Sequence, residues 1–281
     1  MIPQPFDYYA PATLREALAM IAGGEHKILA GGMSLVPLMK LRLAQPEHVV
    51  DLGRIPELNY IAESGGVLRI GAMSTHHDIE SSPAVRAHCP LLAEAAGHIG
   101  DAQVRNMGTI GGSIAHADPS ADYPAALLAL ETKIRLVSAN SDRTIDAAEF
   151  FVDAFTTALE PGEIVLELQV PVEDQGEGYC YEKVPHPASG FAVVGVAVRV
   201  KKAGGKIAMA RIGVTGLGPK PFRDSMAEKM VESGTEIGQA TRQIGEGAEA
   251  NSDLYASADY RRHLARVHAA RAFRTALTRA S

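Results

Sequence analysis

The chain has 281 residues, of which 46% are hydrophobic and 21% charged, so it can bury a sizeable core and divide into two domains. Its formal net charge of -6 argues against a surface built to neutralise nucleic-acid phosphates or to dock on an acidic membrane. The absence of Trp also argues against an aromatic platform for single-stranded nucleic acid.

The first predicted lobe, residues 1 to about 55, alternates helices and strands. Thr13 and Glu16 have the capping-box spacing, and the apolar residues that follow recur at helical intervals up to Ile21. A short buried strand over residues 27–30 is predicted next, then a helix capped by Ser34. A further strand is predicted over residues 49–52.

Two segments, one in each half of the first 120 residues, combine paired glycines with hydroxyl residues. The first runs Leu29, Ala30, Gly31, Gly32, Met33, Ser34, Leu35, Val36, and the second runs Thr109, Ile110, Gly111, Gly112, Ser113. Glycines let the backbone lie against a ligand, and free amides with neighbouring hydroxyls are donors suited to a pyrophosphate. Each segment alone is more typical of a tight turn than of a phosphate site. Together they predict two distant segments that meet around one dinucleotide.

The second predicted lobe, residues 56 to about 173, has an α+β pattern. Strands are predicted over residues 67–70, 133–137 and 164–168, with a helix over residues 91–96. A polar, glycine-bearing stretch at residues 173–178 follows the last strand, and we place a domain boundary there.

Three strands and three helices are predicted for the C-terminal domain, residues 178–281. The strands cover residues 179–183, 191–198 and 208–214 and form a three-stranded antiparallel meander; the helices cover residues 224–232, 236–248 and 258–278. The last helix carries six arginines opposed only by Asp259. We interpret it as a solvated basic face, with a docking surface for a partner chain as the alternative.

Signals for a metal site, a catalytic side chain or export are missing. No GxxxxGK[ST], GxGxxG, HExxH or GxSxG motif occurs, and His116 with Asp118 lacks further ligands nearby, so no metal site and no catalytic residue is predicted. Cys89 and Cys180 are too few for an iron–sulfur cluster and are interpreted as buried thiols. Residues 1–7 do not resemble a secretory signal, and no transmembrane segment is predicted, so a cytoplasmic location is expected.

Residues 29–42 and 109–119 closely resemble the FAD-binding medium subunit of the molybdenum hydroxylases, the family of carbon monoxide dehydrogenase and xanthine dehydrogenase. The likeness spans nearly the whole chain. It implies an α+β fold. Residues 1–173 would form a two-lobed FAD-binding domain of the vanillyl-alcohol-oxidase (PCMH) type, and residues 178–281 a smaller carbon monoxide dehydrogenase flavoprotein-like domain with the antiparallel sheet and a helical bundle.

The resemblance also implies which residues contact FAD, bound without a covalent link. Both glycine segments would hold the pyrophosphate through backbone amides. Ile99 would pack near the flavin, Asp122 would be an acidic FAD contact, and Val165 and Lys183 would lie on the flavin side, Lys183 favouring a reduced, anionic flavin. From the residues alone, Asp122 is instead interpreted as a helix cap and Lys183 as a surface strand lysine. Met33 and Gly190 depart from the family pattern.

By the same resemblance, the chain works within a larger assembly. A molybdopterin-binding large subunit would oxidise the substrate, and a small subunit with two [2Fe-2S] clusters would relay electrons to this flavin, which passes them to an external acceptor. The expected assembly is a dimer of heterotrimers. The alternatives are a stand-alone FAD-dependent reductase or oxidase and a non-catalytic nucleotide-binding assembly module. A branched residue at Gly32 or Gly111 is expected to abolish flavin retention while leaving the chain folded.

Overall fold

A small α/β lobe opens the chain in the computed structural model, which describes residues 1–280. It comprises β1 (Asp7–Tyr9), α1 (Leu14–Ile21), β2 (Lys27–Leu29), α2 (Leu35–Lys40) and β3 (His48–Asp51), with the strands parallel in the order β1-β3-β2. Helix α1 begins where the Thr13 side chain accepts a hydrogen bond from the Glu16 amide. Its Ala17 and Ile21 are buried, so the predicted cap and helical spacing are confirmed.

The second lobe is built on a five-stranded antiparallel sheet. After a short 3-10 helix (Pro56–Leu58), its strands are β4 (Ile61–Ser64), β5 (Val67–Gly71), β6 (Lys133–Val137), β7 (Asp142–Asp146) and, beyond a small hairpin of β8 (Phe151–Asp153) and β9 (Thr156–Thr157), β10 (Ile164–Pro171). The order is β4-β5-β10-β6-β7. All three strands predicted for this lobe are confirmed, and the last of them lies at the centre of the sheet.

Seven short helices cover this sheet, of which only one was predicted. They are α3 (His76–Ser81), α4 (Pro83–His88), α5 (Pro90–Gly97), α6 (Ala102–Met107), α7 (Ile110–His116), α8 (Tyr123–Ala129) and α9 (Ala147–Phe150). The predicted helix at residues 91–96 is α5. The glycines of the second segment, by contrast, lie in the first turn of α7 and not in a loop.

The C-terminal domain differs from the prediction at two points. Strands β11 (Glu177–Pro185), β12 (Ala192–Ala203) and β13 (Lys206–Thr215) form the expected meander, but β14 (Phe222–Arg223) pairs with β13, so the sheet has four strands and not three. The helices are α10 (Ser225–Glu232), α11 (Ile237–Thr241) and α12 (Ala258–Arg279). The helix predicted over residues 236–248 ends at Thr241, and the turns that follow include Gly245 and Gly247 at positive φ.

Most arginines of α12 are bonded within the chain. Arg261 is buried and donates to the carbonyls of Val193 and Gly216 and to Asp253. Three further arginines also donate to protein oxygens, namely Arg262, Arg266 and Arg279. The interpretation of this helix as a solvated basic face is therefore wrong for the buried Arg261, whereas Arg279 is exposed and paired with Glu94.

The C-terminal sheet packs directly on the second lobe. A Cβ atom at Gly213 of β13 would lie 2.0 Å from the carbonyl oxygen of Ala125 in α8, so only glycine allows this approach. The Thr215 hydroxyl lies within hydrogen-bond distance of the carbonyl oxygens of Pro119 and Ala121, at 2.9 and 2.8 Å, and donates its one proton between them. The segment that follows α7 is thus held by the neighbouring domain. Within residues 1–280 no helix is long and apolar enough to cross a membrane.

Candidate functional site

The first glycine segment presents a row of free backbone donors. It follows β2, and Gly32 adopts φ +75, a left-handed conformation that favours glycine. Five consecutive amides have no hydrogen-bond acceptor anywhere in residues 1–280, those of Gly31, Gly32, Met33, Ser34 and Leu35. The Ser34 side chain, predicted to cap α2, makes no capping hydrogen bond either. The segment therefore offers N–H groups, and one hydroxyl, to a ligand.

The second glycine segment has its amides engaged. Thr109 Oγ1 accepts from the Gly112 amide at 3.1 Å, which caps α7. The amides of Ile110, Gly111 and Ser113 donate to the carbonyls of Ser74, Ala72 and Thr109. The expectation that both segments offer backbone amides is therefore met by the first segment only. The half-buried Ser113 hydroxyl forms no hydrogen bond with the described part of the chain and is the donor that this segment can offer.

The two segments meet, as the sequence predicts. A Cβ atom at Gly31 would lie 1.9 Å from the carbonyl oxygen of Met107, just before the second segment. One at Gly112 would lie 3.1 Å from the Cβ of Ala30. Glycine at both positions is what allows two backbones almost eighty residues apart to touch.

A layer of buried residues supports the second segment from below. A Cβ atom at Gly111 would lie 2.5 Å from the Cβ of Ala72, so the expectation that a branched residue here leaves the chain folded is replaced by that of a destabilised fold. His76 lies against Gly108, and its Nδ1 is 3.1 Å from the Tyr123 hydroxyl. Burial, helped by Arg105, lowers the pKa of His76 to about 4, so the ring is neutral at neutral pH.

Asp122 and Lys183 form a buried ion pair between the two domains. Lys183 Nζ lies 2.8 Å from Asp122 Oδ2, with side chains 2% and 4% exposed. The Tyr181 hydroxyl donates to Asp122 Oδ1 at 2.6 Å, and Lys183 also donates to the His98 carbonyl. Burial raises the pKa of Asp122, while Lys183 and Tyr181 oppose the shift. Asp122 makes no helix-capping bond, so both interpretations from the residues alone, helix cap and surface lysine, are wrong.

Sequence reasoning missed Tyr181 and His98. Tyr181 lies two residues before Lys183 on β11, and alternate residues of a strand point to the same face. Because Lys183 was already a candidate, that spacing could have identified Tyr181 as its neighbour from the sequence. The contact with His98 is made through its backbone carbonyl, which every residue type has, so the sequence could not indicate it.

The remaining candidate residues lie in different surroundings. Ile99 is half-buried in the loop between α5 and α6, directly after the carbonyl that Lys183 holds. Val165 is 4% exposed and packs in the apolar core of the second lobe, in the same cluster as Ile110. Gly190 adopts φ +73, which explains glycine at this departure from the family pattern. Met33, the other departure, is exposed beside the free amides.

The residues considered as metal ligands are occupied by local contacts. The His116 ring packs against Phe155 with centroids 5.2 Å apart, and Asp118 accepts the amide of Ser120. No group of three His, Cys, Asp or Glu side chains in residues 1–280 is arranged to hold a metal ion.

Comparison with known families and structures agrees with this geometry. The FAD binding domain in molybdopterin dehydrogenase matches residues 4–173, and the CO dehydrogenase flavoprotein C-terminal domain matches residues 179–276. The carbon monoxide dehydrogenase medium chain of Hydrogenophaga pseudoflava is 41% identical over 285 residues, covering 99% of both chains. The glyceraldehyde dehydrogenase medium chain of Sulfolobus acidocaldarius is 38% identical, covering 98% of this chain and 99% of that one.

A solved structure shows the same fold over the full length. It is carbon monoxide dehydrogenase from Hydrogenophaga pseudoflava lacking the Mo-pyranopterin moiety of its molybdenum cofactor; its matching chain superposes with a TM-score of 0.95 at 42% identity, covering 100% of both chains. The expected two-domain α+β architecture and the resemblance in sequence are confirmed. The chain belongs to the FAD-binding medium subunits of the molybdenum hydroxylases.

Proposed function

We propose that the diphosphate of FAD lies on the free amides of the first glycine segment, with the Ser113 hydroxyl contributing from the second. A diphosphate carries negative charge and hydrogen-bond acceptors, and consecutive backbone N–H groups are its usual partners in proteins. Five unpaired amides at the point where the two segments touch are the observation that carries the proposal. Ile99, Asp122, Val165 and Lys183 are kept as the flavin-side set, with Ile99 the member that borders the flavin.

The protein is the electron-transfer subunit of an oxidoreductase complex. When bound, FAD supplies the redox centre that takes up electrons from an iron–sulfur cluster and releases them to an acceptor. The residues of this chain hold and orient that cofactor. We propose that the electrons come from the [2Fe-2S] clusters of a small partner subunit and leave to an external acceptor.

Substrate chemistry is assigned to the partner that carries molybdopterin. The two medium chains compared above, at 41% and 38% identity to this chain, are named as parts of carbon monoxide dehydrogenase and of glyceraldehyde dehydrogenase. Carbon monoxide and glyceraldehyde are chemically unrelated. This chain nevertheless matches both of them over almost its whole length. The shared role of these chains is therefore the flavin step.

The proposed assembly is a dimer of heterotrimers located in the cytoplasm. Both cysteines are buried, unpaired thiols, the form that a reducing compartment maintains. Purification of the chain with its native partners, followed by native mass spectrometry and assay of FAD, molybdenum and iron, tests the assembly. We expect one FAD and one molybdenum for each chain, with iron equivalent to two [2Fe-2S] clusters.

The same assays distinguish the two alternatives. A chain that retains FAD but purifies without molybdenum and iron would support a stand-alone flavoenzyme. A chain that brings the metals but no FAD would support an assembly module. Acid precipitation of the holoprotein should leave all flavin absorbance in the supernatant, because the FAD is bound without a covalent link; flavin in the pellet would contradict this.

A further inference from the structure

The loop between α5 and α6 is held in an unusual way. Three consecutive backbone carbonyls, those of His98, Ile99 and Gly100, each accept a hydrogen bond from a positively charged side chain. Lys183 Nζ lies 2.8 Å from the His98 oxygen, and Arg105 Nη1 lies 3.1 and 3.2 Å from the oxygens of Ile99 and Gly100. Bonds in which the donor is charged are stronger than neutral ones. The loop is therefore held at three of its four residues.

Both cations are themselves fixed by carboxylates. Lys183 is paired with the buried Asp122, and Arg105 Nε donates to Glu80 at 2.8 Å. The two cations approach the loop from different elements, since Lys183 lies on β11 of the C-terminal domain and Arg105 on α6. The loop conformation thus depends on two charged side chains whose own positions are set elsewhere.

These contacts change what Lys183 can do. An ammonium has three N–H donors, and two of them are used by Asp122 and the His98 carbonyl. Asp122 also compensates its charge within the pair. Lys183 therefore holds the loop through one of its N–H groups while its charge is paired with Asp122.

We infer that Arg105 and Lys183 are positioning residues that preset the loop at residues 98–100, and with it the Ile99 side chain, for the flavin. The inference rests on the proposed function, in which Ile99 borders the flavin. An ordered loop spares the cofactor the entropic cost of ordering it on binding. The C-terminal domain then contributes to FAD affinity through the hydrogen bond of Lys183 to this loop.

The test compares Arg105→Met and Lys183→Met with two matched controls in the purified complex. Arg262→Met removes an arginine that, like Arg105, bonds both a carboxylate and a carbonyl, and Lys202→Met removes a lysine that, like Lys183, is held by two acceptors; both controls lie within the C-terminal domain. After FAD is removed, hydrogen exchange is measured for the peptide covering residues 96–103. FAD is then titrated back and its dissociation constant obtained from flavin fluorescence.

We expect faster exchange of this peptide and roughly tenfold weaker FAD binding in both loop variants, the effect of losing about one charge-assisted hydrogen bond. Both controls should match the wild type in both measurements. Arg105→Lys, which keeps the charge, should recover part of the affinity. If Lys183→Met alone does not fold, the double variant Asp122→Asn with Lys183→Met is measured in its place, because it leaves no unpaired buried charge.

Wild-type exchange and affinity in the loop variants would overturn the inference, as would equal losses in the controls. Failure of the proposed function has a different signature. If Gly32→Val, which changes the first glycine segment and not the loop, keeps wild-type FAD affinity, the diphosphate cradle is wrong whatever the loop variants show. If Gly32→Val loses FAD while the loop variants retain it, the cradle stands and only the positioning role fails.

Discussion

The two glycine segments have nearly the same composition but differ in structure and in role. In the first segment the pair lies in a turn, Gly32 has a left-handed backbone, and five successive amides are free. In the second the pair lies in the first turn of α7, where the amides of Gly111 and Gly112 are bonded within the chain. The first pair leaves backbone donors free, and the second lets a helix approach its neighbours.

The difference shows that glycine can be required for two physical reasons, its backbone conformation and its lack of a side chain. In the first segment, Gly32 is needed because an L side chain is strained at positive φ, and Gly31 because a Cβ atom there would overlap the carbonyl oxygen of Met107. Glycine is needed in the second because a Cβ at Gly111 would overlap Ala72 and one at Gly112 would crowd Ala30. The proposed diphosphate site therefore combines a donor segment, the first, with a packing segment, the second, and substitutions should affect the two segments differently.

Replacement of Gly111 by Ala should have the largest effect, and on folding itself. The new Cβ would lie 2.5 Å from the Cβ and 2.7 Å from the carbonyl oxygen of Ala72, so α7 must move away from β5. We expect the free energy of unfolding, measured by urea denaturation of the FAD-free chain, to fall by about 3 kcal/mol, the upper range for an overpacked core.

A second substitution tests the physical cause. Ala72→Gly in the Gly111→Ala background removes the closest of the overlapping atoms and should restore part of the lost stability. Gly111→Ala with wild-type stability would mean that α7 packs less tightly than the structure shows.

Replacement of Gly32 by Val should have the second largest effect, and on FAD binding. The strained backbone shifts the amides that follow it, and we expect about hundredfold weaker FAD binding, equivalent to about 2.7 kcal/mol. The matched control is Gly205→Val, which has φ +77 in the open turn between β12 and β13. It introduces the same backbone strain where nothing lies within 4 Å.

Titration of FAD followed by flavin fluorescence checks this second prediction. Similar losses of affinity in Gly32→Val and Gly205→Val would show that general backbone strain, not the position of the amides, is responsible. An unchanged affinity in Gly32→Val would remove the diphosphate from the first segment.

Sequence reasoning recovered the features that are encoded locally. The capping residues of α1, the apolar runs of β5, β6 and β10, and the meander of β11 to β13 each follow from residues close together in the chain. The meeting of the two glycine segments also followed, because both show the composition of a phosphate-binding turn. The second lobe's short helices did not, since six or seven residues are too few to show a helical period.

One missed helix did carry a local signal. Thr75 and Asp78 form a reciprocal capping box at the start of α3, which could have been found from the sequence. Other contacts are set by the tertiary fold alone. The Asp122 and Lys183 pair joins residues 61 positions apart, and the loop carbonyls that Arg105 and Lys183 hold are not visible in any residue type.

Acidification should destabilise the fold around the packing segment, because the buried His76 ring lies against Gly108, just before that segment. The pKa of this buried ring is about 4, below the ordinary 6.5, so the stability that neutral His76 contributes is complete above pH 6.5 and is lost as the pH falls toward 4. Between pH 7 and pH 5 we expect a loss of about 2 kcal/mol in the free energy of unfolding. His76→Gln should remove this part of the pH dependence, whereas the exposed neighbour change His77→Gln should retain it.

Two single-hydroxyl changes within the packing segment give the smallest and most selective effects. Thr109→Ala removes the cap of α7 and should lower the free energy of unfolding by about 1 kcal/mol. Ser113→Ala removes a hydroxyl with no bond inside the described chain, so stability should stay within about 0.5 kcal/mol while FAD binds roughly fivefold more weakly. Urea unfolding without FAD and titration with FAD separate the two outcomes. If Ser113→Ala destabilised the chain and left FAD affinity unchanged, the second segment would be purely structural, and the first would hold the diphosphate alone.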